Sequence, residues 1–134
     1  MKFPYQKVPI IGQQSIALPL INILLGEEKI STVCLIDSGA TYSFFHANLG
    51  EILGLNIKKG IEIVAGGVAG AGFIAYLHKA IPIELSGNEC FINIAFSYEL
   101  GTPYNLLGQY NFFQKFRVCF DLRKEEMDII PKFD

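Results

Sequence analysis

Apolar residues fall in short runs broken by glycine, proline and small polar clusters, and most runs alternate or stay apolar throughout, which is strand-like patterning. Residues 15–25 are rich in isoleucine and leucine and end at Gly26-Glu27-Glu28-Lys29; residues 30–36 then resume as the second arm of a hairpin. Pro19 keeps the first arm from being a fully paired central strand. A second hairpin is predicted from residues 81–85 and 90–96 around Ser86-Gly87-Asn88-Glu89, and a last one from 116–122 and 127–130 across Arg123-Lys124-Glu125-Glu126. Residues 1–14 show no clear period and predict a peripheral strand or an extended interface segment.

Helical spacing is local. Ser43 is a candidate N-cap, with Phe45, Leu49, Ile52 and Leu53 at i, i+4, i+7 and i+8 before Gly54, which predicts one short amphipathic helix. Residues 110–115 predict another. His46 lies on the first helix and reads as a surface or capping histidine. The pattern is therefore mainly β with one or two short helices, and 134 residues make a single domain spanning 1–134.

Charge, composition, the first residues and the cysteines add four constraints. A net charge of -2 gives no electrostatic footprint for nucleic acid. Hydrophobic residues make up 51% and charged residues 18%, apolar enough for a small chain to predict that a partner covers some surface, and self-association fits best. Residues 1–7 lack the apolar core and cleavage site of a secretory signal, which predicts a cytoplasmic protein. Cys34, Cys90 and Cys119 are odd in number and widely spaced, so neither a disulfide framework nor a zinc site is expected; they read as buried free thiols on strands. No metal or cofactor is expected.

Residues 61–77 place apolar arms around a glycine-rich middle. The uncharged run is shorter than the roughly 20 residues of a membrane span and is diluted with glycine, so no membrane partner is expected. Gly70-Ala71-Gly72 loosely matches a dinucleotide fingerprint, but Pro82 and the strand-like 81–85 leave no room for the helix it requires. What remains is a mobile hairpin, with 66–72 as a tip bare enough for its backbone to approach a ligand and close over it.

The candidate chemistry lies at Asp37. Val33, Leu35 and Ile36 form an apolar strand that delivers one carboxylate into Asp37-Ser38-Gly39-Ala40, where Gly39 permits a sharp turn and brings its N-H beside the acid. Asp-Ser-Gly alone is common turn chemistry. Two further pieces stand in order with it. Val64-Ala65-Gly66-Gly67-Val68-Ala69-Gly70 precedes Phe73-Ile74, and Thr102-Pro103-Tyr104-Asn105-Leu106-Leu107-Gly108 puts an apolar pair and a glycine roughly seventy residues after the acid.

Together these three pieces resemble the retropepsin-like aspartic proteases, the single-domain class that includes the retroviral enzymes, over about residues 18–116. The resemblance implies an acid-protease-like β-barrel, closed or partly open, with one lobe per chain. It also implies a homodimer cleaving peptide or protein substrates. Asp37, Ser38 and Gly39 take the catalytic motif. Val64, Gly66, Gly67 and Val68 belong to the flap, and Ala40, Pro103, Tyr104 and Leu106 join them as substrate-binding positions with a preference for apolar side chains. By the same resemblance, Ser38 hydrogen-bonds across the dimer, and Ala40 replaces a hydroxyl donor of pepsin-like enzymes, favouring activity nearer neutrality. Retroviral enzymes pair an Arg after the glycine with an Asp beyond the catalytic turn. Here those positions are Gln109 and Thr41, a neutral pair, and the long C-terminal hairpin suggests a dimer sheet built differently.

A serine hydrolase is disfavoured, since Gly-x-Ser-x-Gly is missing and His46 and His78 are the only candidate bases. A metal hydrolase lacks clustered ligands. The remaining alternative is a non-catalytic β-barrel that binds peptide or dimerises while retaining the fold.

Overall fold

A computed structural model describes residues 1–66 and 72–132; Gly67, Val68 and the rest of the expected hairpin tip up to Ala71 lie outside the described residues. A barrel of six strands forms the body. β4 (Leu20–Leu25) pairs antiparallel with β5 (Ile30–Ile36), and β5 pairs parallel with β10 (Asn105–Leu107). β10 lies antiparallel to β6 (Ser43–His46), which pairs parallel with β9 (Asn88–Ser97). β9 pairs antiparallel with the long β8 (Phe73–Leu85), and β8 closes the ring on β4 through Leu24 opposite Glu84 and Leu25 opposite Ile83. Closure leaves the barrel strands no bare edge there.

β8 serves two structures. Its first half pairs with β7 (Ile61–Ala65) as a hairpin, and its second half belongs to the barrel. The two pairings overlap at Tyr76 and Leu77, and the pairing with β9 is interrupted by a bulge between His78 and Ile81, where Ala80 has φ 58 and its N-H donates to Asn93 Oδ1 at 3.1 Å. The β8–β9 turn is two residues, Ser86 and Gly87, both at positive φ, the geometry that follows strand twist most closely.

Two smaller sheets flank the barrel. β1 (Lys2–Pro4), β12 (Glu126–Pro131) and β11 (Phe116–Asp121) form one, in that order; β2 (Gln6–Ile10) and β3 (Gln13–Leu18) form the other. The unpatterned N-terminal residues are thus strands, and the expected 15–25 arm is divided at Pro19, whose carbonyl accepts from Ile36 N-H at 3.0 Å.

Strand period 2 divides the core in two. Cys34, Ile36, Phe45, Ile94, Phe96 and Leu107 point into the main core with Phe112, Phe116, Met127 and Ile129. Their alternates Leu35, Phe44, Ala95 and Leu106 join Ala75, Phe73, Ala40 and Tyr42 in a second cluster. Strands covered on both faces read as continuous apolar runs, which accounts for part of the high hydrophobic content within one chain.

Several expectations need correction. Ser43 is not a helix cap: Ser43, Phe44 and Phe45 are buried in β6, because burying one phenylalanine in each cluster requires a strand at that point. The helix α1 spans only Ala47–Ile52, with His46 at its N-cap position making no side-chain cap bond, and Ile52 is exposed. Residues 110–115 do not make a regular helix; Gln109–Phe113 is a wide π-type turn kinked at Asn111, φ 80, whose Oδ1 accepts from Asn93 N-H at 2.8 Å. A single 3-10 turn, Ile57–Lys59, follows α1. Of the thiols, Cys34 is buried, Cys90 half-buried and Cys119 exposed, since Cys119 lies on a strand of the small outer sheet. Among the described residues, no helix is long and apolar enough to cross a membrane.

Candidate active site

Two elements converge at Asp37. β5 ends at Ile36, whose buried side chain anchors the strand, so the next residue emerges at the barrel rim half-buried. Parallel pairing sets Leu107 opposite Ile36, and Asp37 N-H donates to Leu107 O at 2.9 Å. The carboxylate is then held locally: Gly39 N-H donates to Asp37 Oδ1 at 2.9 Å, and Ala40 N-H donates to Asp37 O at 3.2 Å. A Cβ on Gly39 would stand 3.2 Å from Asp37 Oδ1, so the bare backbone is what admits the acid so closely. Ser38 and Gly39 are exposed on the outer side of the turn.

The chain beyond β10 clamps this turn. Gln109 N-H donates to Ala40 O at 2.8 Å, Tyr110 N-H to Thr41 O at 2.7 Å, and Gln109 Nε2 to Ser38 O at 2.6 Å. The expected Gln109–Thr41 pairing is therefore made by neighbouring backbone, and the carboxamide goes to Ser38 instead. Gly108 N-H donates to the buried Ser43 Oγ at 3.1 Å. Below, buried Asn105 accepts from His46 N-H at 3.0 Å and donates to Thr32 Oγ1 at 2.8 Å and Val33 O at 3.2 Å, so β5, β6 and β10 are tied by one side chain.

A groove of about 450 Å³ opens beside the turn, between it and the β7–β8 hairpin. Of the expected substrate-binding residues, Ala40, Val64, Gly66 and Leu106 line it. Pro103 and Tyr104 do not: Thr102 Oγ1 donates to Tyr104 O at 2.6 Å, and this tight turn leaves Pro103 exposed outside the groove. Gly67 and Val68 lie outside the described residues. Phe44, Phe73, Tyr42 and Leu100 complete the wall.

Aromatic contacts join that wall into one unit. Phe73, opposite Ala65 at the tip end of the hairpin's paired strands, meets Phe44 edge-on at 5.2 Å, Phe44 meets Tyr42 at 6.0 Å, and Tyr42 meets Tyr110 at 5.8 Å. Sequence reasoning missed Tyr42, Phe44 and Leu100; the signal was the Phe44-Phe45 doublet, which reads as two faces once β6 is a strand. Every described lining residue is neutral, and Asp37 stands two residues before the lining residue Gly39.

A larger cavity of about 620 Å³ lies elsewhere, lined by Gly26, Lys29, Pro82, Phe91 and Lys115 among others, and takes nothing from the Asp37 turn. No group of three His, Cys, Asp or Glu side chains placed to hold a metal ion occurs among the described residues. Asp37 and Ser38 do not line the groove, whose wall takes Gly39 and Ala40 from their turn, so one chain presents one turn-held carboxylate beside an uncharged, aromatic-walled groove. No protein-family model matches the chain, and no curated protein matches it.

Proposed function

We propose that this chain is an aspartic endopeptidase of the retropepsin-like kind, active as a homodimer in which two Asp37 carboxylates meet on a twofold axis. The observation that carries the reading is the half-buried Asp37 held by Gly39 N-H at 2.9 Å beside a neutral groove, with its turn clamped by Gln109 and Tyr110. An acid placed so firmly at a rim, where Ser38 and Gly39 face outward, is half of a two-carboxylate site. Water attack on an amide needs a base and an acid at once, and one Asp37 supplies only one of them.

Two such carboxylates in close contact cannot both be ionised, so they share one proton. The ionised Asp37 takes a proton from water as its oxygen bonds to the scissile carbonyl carbon. The protonated Asp37 gives its proton to the carbonyl oxygen, which becomes the second hydroxyl of a tetrahedral diol. Collapse breaks the C–N bond: the leaving nitrogen takes the proton first removed from water, and one diol hydroxyl returns its proton to the dyad. Val64, Phe44, Phe73 and Leu106 offer apolar surface to the residues flanking the scissile bond, and the groove's neutrality favours uncharged ones.

The test is cleavage of a peptide library by the intact chain and by Asp37→Asn, whose amide keeps the turn but cannot exchange the proton. The reading expects cuts between apolar residues, abolished in the variant. Binding without cleavage by both proteins would make the chain a peptide-binding barrel instead.

A further inference from the structure

The β2–β3 ribbon is unlike the rest of the chain. It forms its own two-stranded sheet, Gln6 opposite Leu18 and Val8 opposite Ile16, and its outer edges pair with no other strand among the described residues. Ile10, Ile11 and Ile16 are exposed at 40%, 101% and 45%, and Lys7 is the ribbon's one charge. An isolated hairpin is marginal in water, and bare apolar edges invite pairing.

Where the ribbon starts says what covers it. Leu20 pairs with Leu35, and Pro19 O accepts from Ile36 N-H at 3.0 Å, so chain preceding Pro19 leaves the barrel at the Asp37 end. Gln6 Nε2 fixes the other arm to Leu20 O at 3.2 Å. From that root, strands of five and six residues run outward roughly 20 Å to a tip at Ile11 and Gly12. The barrel end they leave is the one that must face a second copy if two Asp37 residues are to meet. By contrast, β1 and β12 pair within the chain, with the Met1 ammonium 2.9 Å from Asp128 and Ile129 N-H donating to Met1 O at 2.9 Å.

We infer that the β2–β3 ribbon is a dimerisation arm: each copy lays its isoleucines and a free strand edge on the other copy, bringing the two Asp37 turns together. The inference rests on the homodimer in the proposed function and names the surface that builds it. Twofold symmetry makes the embrace reciprocal, so each arm is covered twice over, by the partner's body and by its place beside the partner's root.

The experiment is sedimentation of the full chain over a concentration series, for the wild type and for Ile11→Asp with Ile16→Asp. Both positions are exposed in the single chain, so the substitutions leave the barrel's unfolding midpoint unchanged in dilute protein. The dimer dissociation constant should rise about tenfold or more, as buried isoleucine contacts are lost. Hydrogen exchange needs no variant: amides of residues 7–17 should slow as wild-type concentration rises through the dissociation constant. A dimer indifferent to the substitutions, with exchange independent of concentration, overturns the arm and leaves the protease reading intact. A dimer weakened by them that cleaves no peptide supports the arm and removes the protease. A wild type that stays monomeric overturns the arm.

Discussion

Gly108 packs against the Ala40 carbonyl so closely that a Cβ there would lie 2.7 Å from the Ala40 oxygen, and it would strike the Tyr42 oxygen as well. The loop carrying Asp37 is wrapped around the end of β10, and only a bare backbone fits inside the wrap. Gly108→Ala should therefore destabilise the fold by about 3 kcal/mol, the upper range for overpacking, because the clash is with backbone that cannot rotate away. Urea unfolding checks it; an unchanged midpoint would show the wrap to be loose.

Asn105→Leu should cost more than its size suggests. The leucine leaves His46 N-H without its acceptor in a half-buried place and frees the Thr32 hydroxyl and Val33 carbonyl. Each buried group left unsatisfied costs about 1–3 kcal/mol. Unfolding of Asn105→Leu against Asn105→Asp, which keeps the acceptor for His46 but loses the donors, separates the contributions.

Much of this arrangement could be read from the residues. The hairpins at 15–36, 81–96 and 116–130 announce themselves through turn residues and β-branched runs, though the first begins pairing only at Leu20, and Asp37-Ser38-Gly39 with Leu106-Leu107-Gly108 marks the two pieces that meet. What could not be read is which face each apolar residue takes when both faces are covered. Phe44 and Phe45 look alike in a list of hydrophobic positions, yet one walls the groove and the other fills the barrel. Ser43 reads as a cap for the same reason that it is useful in β6, since a small hydroxyl can accept from a backbone N-H, here that of Gly108. Pro103 and Tyr104 fell outside the groove because a hydroxyl two residues upstream of a carbonyl decides a turn that hydropathy does not register.

Gln109 should act on turnover and hardly on stability. Its carboxamide is exposed, so Gln109→Ala should shift unfolding by about 0.5 kcal/mol or less. It frees the Ser38 carbonyl, and under the proposed function kcat should fall with KM little changed. Gln109→Glu replaces the donor with an acceptor and should be at least as slow. Equal kcat in all three proteins would remove Gln109 from the positioning of the turn.

The thiols should react in order of exposure. Cys119 is open to solvent. Burial pushes the Cys90 thiol above its usual range, with Lys115 opposing, and full burial pushes Cys34 far up, so less of each is thiolate at neutral pH. Mass spectrometry after brief alkylation should find Cys119 labelled first and Cys34 labelled only in denaturant. Early labelling of Cys34 would mean that β5, and with it the Asp37 turn, opens readily.

Two copies of Asp37 in one site make turnover depend on both chains of a dimer, and titrating wild-type protein with Asp37→Asn at constant total concentration reads that dependence. If both carboxylates are required and the copies exchange freely, a mixture of equal parts keeps about one quarter of the wild-type rate, since only that share of dimers carries two acids. If each chain acts alone, the same mixture keeps about one half, and the rate falls in proportion to the wild-type fraction. The squared dependence is the expected result, and a linear one would place a complete site in each chain.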